Sequence, residues 1–155
     1  MKPNASKAAK RSVKNMGWKQ PAAARLLPAP ESVIAPCIFL VEDDEVVRML
    51  LEHIFTRRGF TVHSAADGKQ ALARIDELPK PQSVLLDVML PHVDGLELLK
   101  HIRRYAPWQG VPVVMLTSKA YEKDILYAFE NGADDYITKP FRTEELVIRI
   151  KRLLK

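Results

Sequence analysis

Apolar residues along this chain follow two rhythms that take turns. Short apolar or β-branched stretches occur at Cys37 to Val41, Phe60 to Ser64, Val84 to Leu86, Val111 to Leu116 and Tyr136 to Thr138. Stretches of that length between turn residues read as strands. Between them, apolar positions recur three and four apart. The sets are Val46, Val47, Leu50, Leu51, Ile54 and Phe55; Ala71, Leu72, Ile75 and Leu78; Leu96, Leu98, Leu99 and Ile102; Ile125, Leu126 and Phe129; and Leu146, Val147, Ile150, Leu153 and Leu154. That spacing predicts five amphipathic helices. Gly59 stops the first, Pro79 and Pro81 the second, and Asn131-Gly132 the fourth. Arg103-Arg104 is expected to cap the end of the third, and Thr143 to be the N-cap of the fifth.

Five strands alternating with five helices predict an α/β domain whose parallel sheet is covered on both faces. Near-continuous apolar strands fit, because each is buried from two sides. Residues 1–35 stand outside the alternation: alanine and lysine dominate, prolines recur and no apolar period survives, so they read as a disordered tail before a domain at 36–155. Charge sharpens the same boundary. Residues 1–30 carry +7 with no acid, whereas residues 31–155 carry −2. The tail reads as an electrostatic arm for nucleic acid, an anionic membrane or an acidic partner, or as a solvated extension with none. Any nucleic-acid binding is expected from the tail alone, weak and non-specific. Trp18 and Leu26-Leu27 are too isolated in it to define a contact. Cys37 is the single cysteine, which excludes an internal disulfide or a cysteine metal cluster and fits a reducing, cytoplasmic setting. The longest apolar run, Val33 to Val41, is too short to span a bilayer, and no signal-peptide core follows the basic start.

The chemistry lies where the strands end. The first offers Glu42 and Asp43, the third Asp87, the fourth Thr117 and the fifth Lys139. In a parallel sheet these ends share one rim, the edge at which open α/β folds bind ligands. Three carboxylates brought together at about 5 Å, with an effective dielectric of about 20, repel by about 3 kcal/mol per pair. Such a cluster calls for a cation, and hard oxygen ligands with room for water and phosphate suit Mg²⁺. A hydroxyl and an ammonium beside a carboxylate nucleophile are the parts needed to hold a transferring phosphoryl group. Singly, Lys139 reads equally as a surface residue, Thr117 as a cap and Glu42-Asp43 as a solvated loop.

From Pro36 to Lys155 the chain resembles the receiver domain of bacterial two-component response regulators. The resemblance rests on FLVEDDEVVRMLL, VLLDVMLPHVDGLELL, VVMLTS and GADDYITKPF, the last most similar to receivers of the OmpR/PhoB type. It implies a flavodoxin-like doubly wound (βα)5 fold with strand order 2-1-3-4-5. It also implies Asp87 as phosphoacceptor, with Mg²⁺ held by Asp43, Asp87, the backbone carbonyl of Met89 and, through water, Glu42. Thr117 and Lys139 are then the phosphoryl-binding residues, Thr117 and Tyr136 the switch pair, and Lys139-Pro140 a cis peptide bond. A sensor histidine kinase or phosphotransfer protein is the implied partner. The implied activity is limited to the chain's own phosphoryl acceptance and hydrolysis, so the chain is not an enzyme with an external product. Phosphorylation is expected to alter the face of helix 4, strand 5 and helix 5 for partner binding or homodimerisation, using Asp134, Asp135, Glu145, Arg149 and Lys151. Ile125 and Tyr127 depart from the pattern, standing where those proteins often carry basic residues.

The four histidines fall on separate elements without ligand spacing and read as surface or packing residues, Trp108 as loop packing, and Asp44 as a first-turn helix residue rather than a ligand. A haloacid-dehalogenase-like phosphatase also uses a strand-end Asp, but needs a second Asp two residues on, where this chain has Met89. A scaffold that keeps the fold without phosphorylation has no need of the intact acids, Thr117 and Lys139. With Lys155 directly after the fifth helix, the expectation is a stand-alone receiver or a piece of a longer regulator.

Overall fold

A computed structural model of the chain describes residues 34–154. The expectations for the basic tail lie outside the described residues. The elements run β1 (Cys37–Val41), α1 (Glu45–Thr56), β2 (Thr61–Ala65), α2 (Gly68–Glu77), β3 (Ser83–Leu86), α3 (Gly95–Arg104), a 3₁₀ turn (Ala106–Trp108), β4 (Val113–Thr117), α4 (Glu122–Glu130), β5 (Asp135–Thr138) and α5 (Thr143–Leu153). All five strands are parallel, in the order β2-β1-β3-β4-β5. No helix among the described residues is long and apolar enough to cross a membrane.

Strand alternation divides the core in two. Phe39, Val41, Val84, Leu86, Val113 and Met115 pack with Ile75, Leu98, Leu99, Ile102 and Ala128, so α2, α3 and α4 cover one face. Ile38, Leu40, Leu85, Val114 and Leu116 pack with Leu51, Ile54, Phe55, Leu146, Val147 and Ile150, so α1 and α5 cover the other. Successive side chains of a strand point to opposite faces, which is why the central strands β1, β3 and β4 read as nearly continuous apolar runs.

Asp44, Asp67 and Asp94 are the N-caps of α1, α2 and α3, each accepting a backbone N–H from the first turn that follows it. Asp44 thus stands just ahead of its helix, not within it. Thr143 is not a cap: it is the first residue of α5, the cap position is Arg142, and no side chain bonds there. Strand four starts at Val113 rather than Val111, because Pro112 lacks the N–H a ladder needs. Arg103 does not cap its own helix. Its guanidinium reaches the carbonyls of Val111 and Gly132 and the carboxylate of Asp134, binding α3 to the entries of β4 and β5. Trp108 is a core residue, fully buried, its ring edge-on to Phe39 at 5.5 Å. On α1 and α4, Val46, Leu50, Leu126 and Phe129 follow the helical period yet are exposed.

Candidate functional site

The carboxyl ends of β1, β3, β4 and β5 bring five of the expected side chains to one rim. Asp87 follows the last residue of β3, and its backbone N–H still donates to Val41 at 3.1 Å, so the strand ladder fixes its position. Gly95 lets α3 begin directly behind it: a Cβ there would sit 1.9 Å from the Asp87 carbonyl oxygen. The loop between them turns at His92, whose φ of 68° is left-handed. Glu42 and Asp43 follow β1. One carboxylate oxygen each from Glu42, Asp43 and Asp87 lie within 4.8 Å of one another.

Lys139 closes this cluster. Its Nζ donates to Glu42 Oε2 at 2.6 Å and to Asp87 Oδ2 at 3.0 Å. Glu42 is 1% exposed and Asp87 6%, so both acids are held out of water beside one cation. Burial pushes the Glu42 carboxyl up; bonds from Lys139 and the Asp44 amide pull it down without fully offsetting burial and the neighbouring Asp87. For Lys139, burial pulls the ammonium down, and its bonds to Glu42 and Asp87 outweigh that, so it ends above the usual lysine range. The remaining oxygens are also placed: Asp87 Oδ1 accepts from the Met89 amide at 3.0 Å, and Glu42 Oε1 from the Asp44 amide at 3.1 Å. No hydrogen bond among the described residues uses the Asp43 carboxylate, and Asp43 is exposed.

Thr117 ends β4 and is fully buried, its Oγ1 accepting from the Lys119 amide at 3.3 Å. Tyr136 points inward from β5, and its hydroxyl donates to the Lys119 carbonyl at 2.6 Å. One loop residue thus touches both. Burial, then the charges of Asp124 and Asp87, push the Tyr136 phenol up to about 12. The Lys139–Pro140 peptide bond is cis. Met89, two residues past Asp87, leaves its side chain exposed.

The residues expected on a dimer face lie away from this cluster and are largely paired already. Asp134 accepts from Arg103 Nη2 and from the Val113 amide, both at 2.8 Å. Arg149 bonds both oxygens of Asp135, at 2.9 and 3.0 Å, and Glu145 at 2.9 Å. Lys151 is exposed on α5. A cavity of about 350 Å³ lined by Lys80, Gln82, Val111, Pro112 and Leu154 opens at the opposite edge of the sheet, away from the acids. Arg48 is not among the residues the sequence pattern singles out, yet it touches the acidic loop: its Nη1 donates to the Glu42 carbonyl at 2.9 Å. The signal present in the sequence is a cation near the start of a helix, where the dipole disfavours it.

Comparison with known proteins agrees with this arrangement. The family model described as the response regulator receiver domain matches residues 38–151. The chain is 41% identical over 118 residues to the phosphate regulon transcriptional regulatory protein PhoB of Escherichia coli K12, covering 76% of this chain and 51% of that protein. It is 42% identical to the alkaline phosphatase synthesis transcriptional regulatory protein PhoP of Bacillus subtilis 168, covering 76% and 48%. The chain thus spans about half the length of the curated relatives it matches. Among solved structures, the BeF3-activated receiver domain of Klebsiella pneumoniae RstA superposes with a TM-score of 0.70 at 35% identity, covering 77% of this chain and 98% of that one. The receiver domain of the sensor histidine kinase PA1611 from Pseudomonas aeruginosa, solved with a magnesium ion coordinated in its active-site cleft, gives 0.71 at 31%, with coverage of 77% and 98%. With the five-stranded order, the acidic cluster at its rim and matches across nearly the whole described domain, the chain belongs to the response regulator receiver domains of two-component systems, signalling domains rather than enzymes.

Proposed function

We propose that Asp87 accepts a phosphoryl group from a sensor histidine kinase or phosphotransfer protein in a Mg²⁺-dependent reaction, making the chain a cytoplasmic phosphorylation switch. The observation that carries this reading is the meeting of three carboxylates and Lys139 at one rim. The donor set fits a hard divalent cation: it is all oxygen and strongly negative, and the Asp43 carboxylate takes no hydrogen bond among the described residues. Glu42, Asp43, Asp87 and the Met89 carbonyl are the groups that would hold it. When bound, Mg²⁺ would neutralise charge shared by the acids and the phosphoryl oxygens. The magnesium-bound receiver of PA1611 supports the choice of metal.

An Asp87 carboxylate oxygen attacks phosphorus: the O–P bond forms as the P–N bond to the donor's imidazole breaks, and the ring leaves with the electron pair. Lys139 then exchanges one carboxylate contact for a phosphoryl oxygen, with no new charge to bring in. Thr117 accepts at its oxygen from Lys119, which leaves its hydroxyl hydrogen to donate to a phosphoryl oxygen. A shift of Thr117 is felt at Lys119, and through the Lys119 carbonyl at Tyr136. That path leads to the face of α4, β5 and α5, where Asp135, Glu145, Arg149 and Lys151 serve a partner or a second copy of the chain, with Asp134 beside them bound to Arg103 and the Val113 amide.

Acetyl phosphate with Mg²⁺ should add one phosphate by mass to the wild-type chain and none to Asp87→Asn. Labelling of Asp87→Asn at the wild-type rate would remove the assignment.

A further inference from the structure

We infer that Arg48 is a positioning residue for the acidic loop, one that holds the backbone of Glu42 so that its carboxylate and that of Asp43 face the cation. This rests on the reading of the rim as a Mg²⁺ site. The residue stands in the first turn of α1, and helical side chains lean toward the N-terminus, so its guanidinium falls back over the loop that precedes the helix. There Nη1 donates to the carbonyl of Glu42 at 2.9 Å and approaches that of Asp43 at 3.5 Å.

The contact comes at the point where the sheet stops supplying partners. The Glu42 N–H still donates to Ala65 at 3.1 Å, and the Val41 carbonyl still accepts from Asp87. The next carbonyl, that of Glu42, has no strand to receive it, and Arg48 takes that role. With the Glu42 side chain bonded by Lys139 and by the Asp44 amide, all the polar groups of Glu42 are paired.

No other interaction among the described residues accounts for the guanidinium. Arg48 forms no ion pair among them, and it is only half buried. A cation near the start of a helix is opposed by the helix dipole. It also repels any cation bound nearby. Charge and positioning therefore predict opposite outcomes when Arg48 is replaced. If charge is what matters, Arg48→Met binds Mg²⁺ more tightly, because a repelling group has gone. If positioning matters, it binds more weakly, because the loop is released.

The test is calorimetric titration of Mg²⁺ into the wild-type chain, Arg48→Met, Arg48→Lys and Asp43→Asn, with thermal midpoints measured without metal. We expect Arg48→Met to bind about 10-fold more weakly, as loss of a group that orients ligands typically does. Arg48→Lys, which keeps one donor and the charge, should recover part of the loss, and the metal-free midpoints should not track the affinities. Should Arg48→Met prove too unstable to titrate, the comparison of Arg48→Lys with wild type carries the test, with weakening expected. Equal or tighter binding by Arg48→Met, or wild-type affinity in Arg48→Lys when Arg48→Met cannot be titrated, overturns the role of Arg48 while the site reading stands. A wild-type chain that binds no Mg²⁺, or Asp43→Asn binding as well as wild type, overturns the site reading and this inference together.

Discussion

Replacing Lys139 with methionine keeps most of the side-chain volume and removes the one cation between two buried acids. The ammonium lies 2.6 Å from Glu42 and 3.0 Å from Asp87. At an effective dielectric of about 20 each pair attracts by about 6 kcal/mol before desolvation, most of which hydration of the separated groups offsets. What remains is the cost of stranding charge: removing one partner of a buried pair typically costs about 3–5 kcal/mol. The Lys139 side chain is 20% exposed, so about 3 kcal/mol is expected. Acid should relieve the loss. Burial already holds the Glu42 carboxyl above its ordinary range, and without Lys139 it rises further. A carboxyl whose folded pKa lies above its unfolded one is best tolerated below the unfolded value and costs stability as pH rises through the folded value. The gap between Lys139→Met and wild type should therefore be wide at neutral pH and narrow in mildly acidic buffer. Mg²⁺ should narrow it too, since a cation that binds only the folded chain stabilises most the variant with unmet negative charge. Urea unfolding followed by Trp108 fluorescence measures all three quantities. A variant within about 0.5 kcal/mol of wild type at neutral pH, or a gap that widens on acidification, would refute the reasoning.

Two further outcomes are expected. Tyr136 should be the last phenol to ionise, near its value of about 12; because that value is raised, its stabilising contribution is complete below the ordinary tyrosine range and lost as pH climbs through 12. Tyrosinate absorbance of Tyr136→Phe against wild type checks this, and a variant that still shows the late step would contradict it. Asp134→Ala should cost about 2 kcal/mol by leaving the Val113 amide unpaired, without altering beryllofluoride-linked association in sedimentation, whereas Arg149→Glu should weaken that association. Association that fails in Asp134→Ala and persists in Arg149→Glu would reverse the roles given to the two residues.

The central strands were legible because positions buried on both faces are nearly all apolar, and the rim was legible because the acids stand at strand ends. Helical periodicity misled in a particular way. Val46, Leu50, Leu126 and Phe129 repeat with the core positions of α1 and α4 but face outward, since a period records spacing and not what covers the face. Trp108 read as loop packing rather than as core because a three-residue 3₁₀ turn has no period to share. The cluster's decisive contact, Lys139 to Glu42, joins residues 97 apart, and no local pattern encodes it. Shared rim position made the meeting expected, and the resemblance supplied the roles.

Arg103 and Arg149 are both helical arginines committed to carboxylates of their own chain. Arg103 sits in the last turn of α3, where a basic residue is at home beside the dipole and the free carbonyls, and Arg149 in the middle of α5. Arg103 instead turns away, because the backbone of Gly132 and the carboxylate of Asp134 approach from the α4–β5 connection and accept three of its bonds. Arg149 faces Asp135 and Glu145 and commits three nitrogens to them. A second copy of the chain that sought these same groups would have to exchange partners one for one. The net gain per exchange is then small, in keeping with exposed ion pairs worth about 0–1 kcal/mol. Area must come from elsewhere, and the exposed apolar side chains of α4 and α5 include Leu126, Phe129 and Ile148. For the proposed pairing of two copies, charge on this surface would set the alignment and exposed apolar residues would supply the affinity.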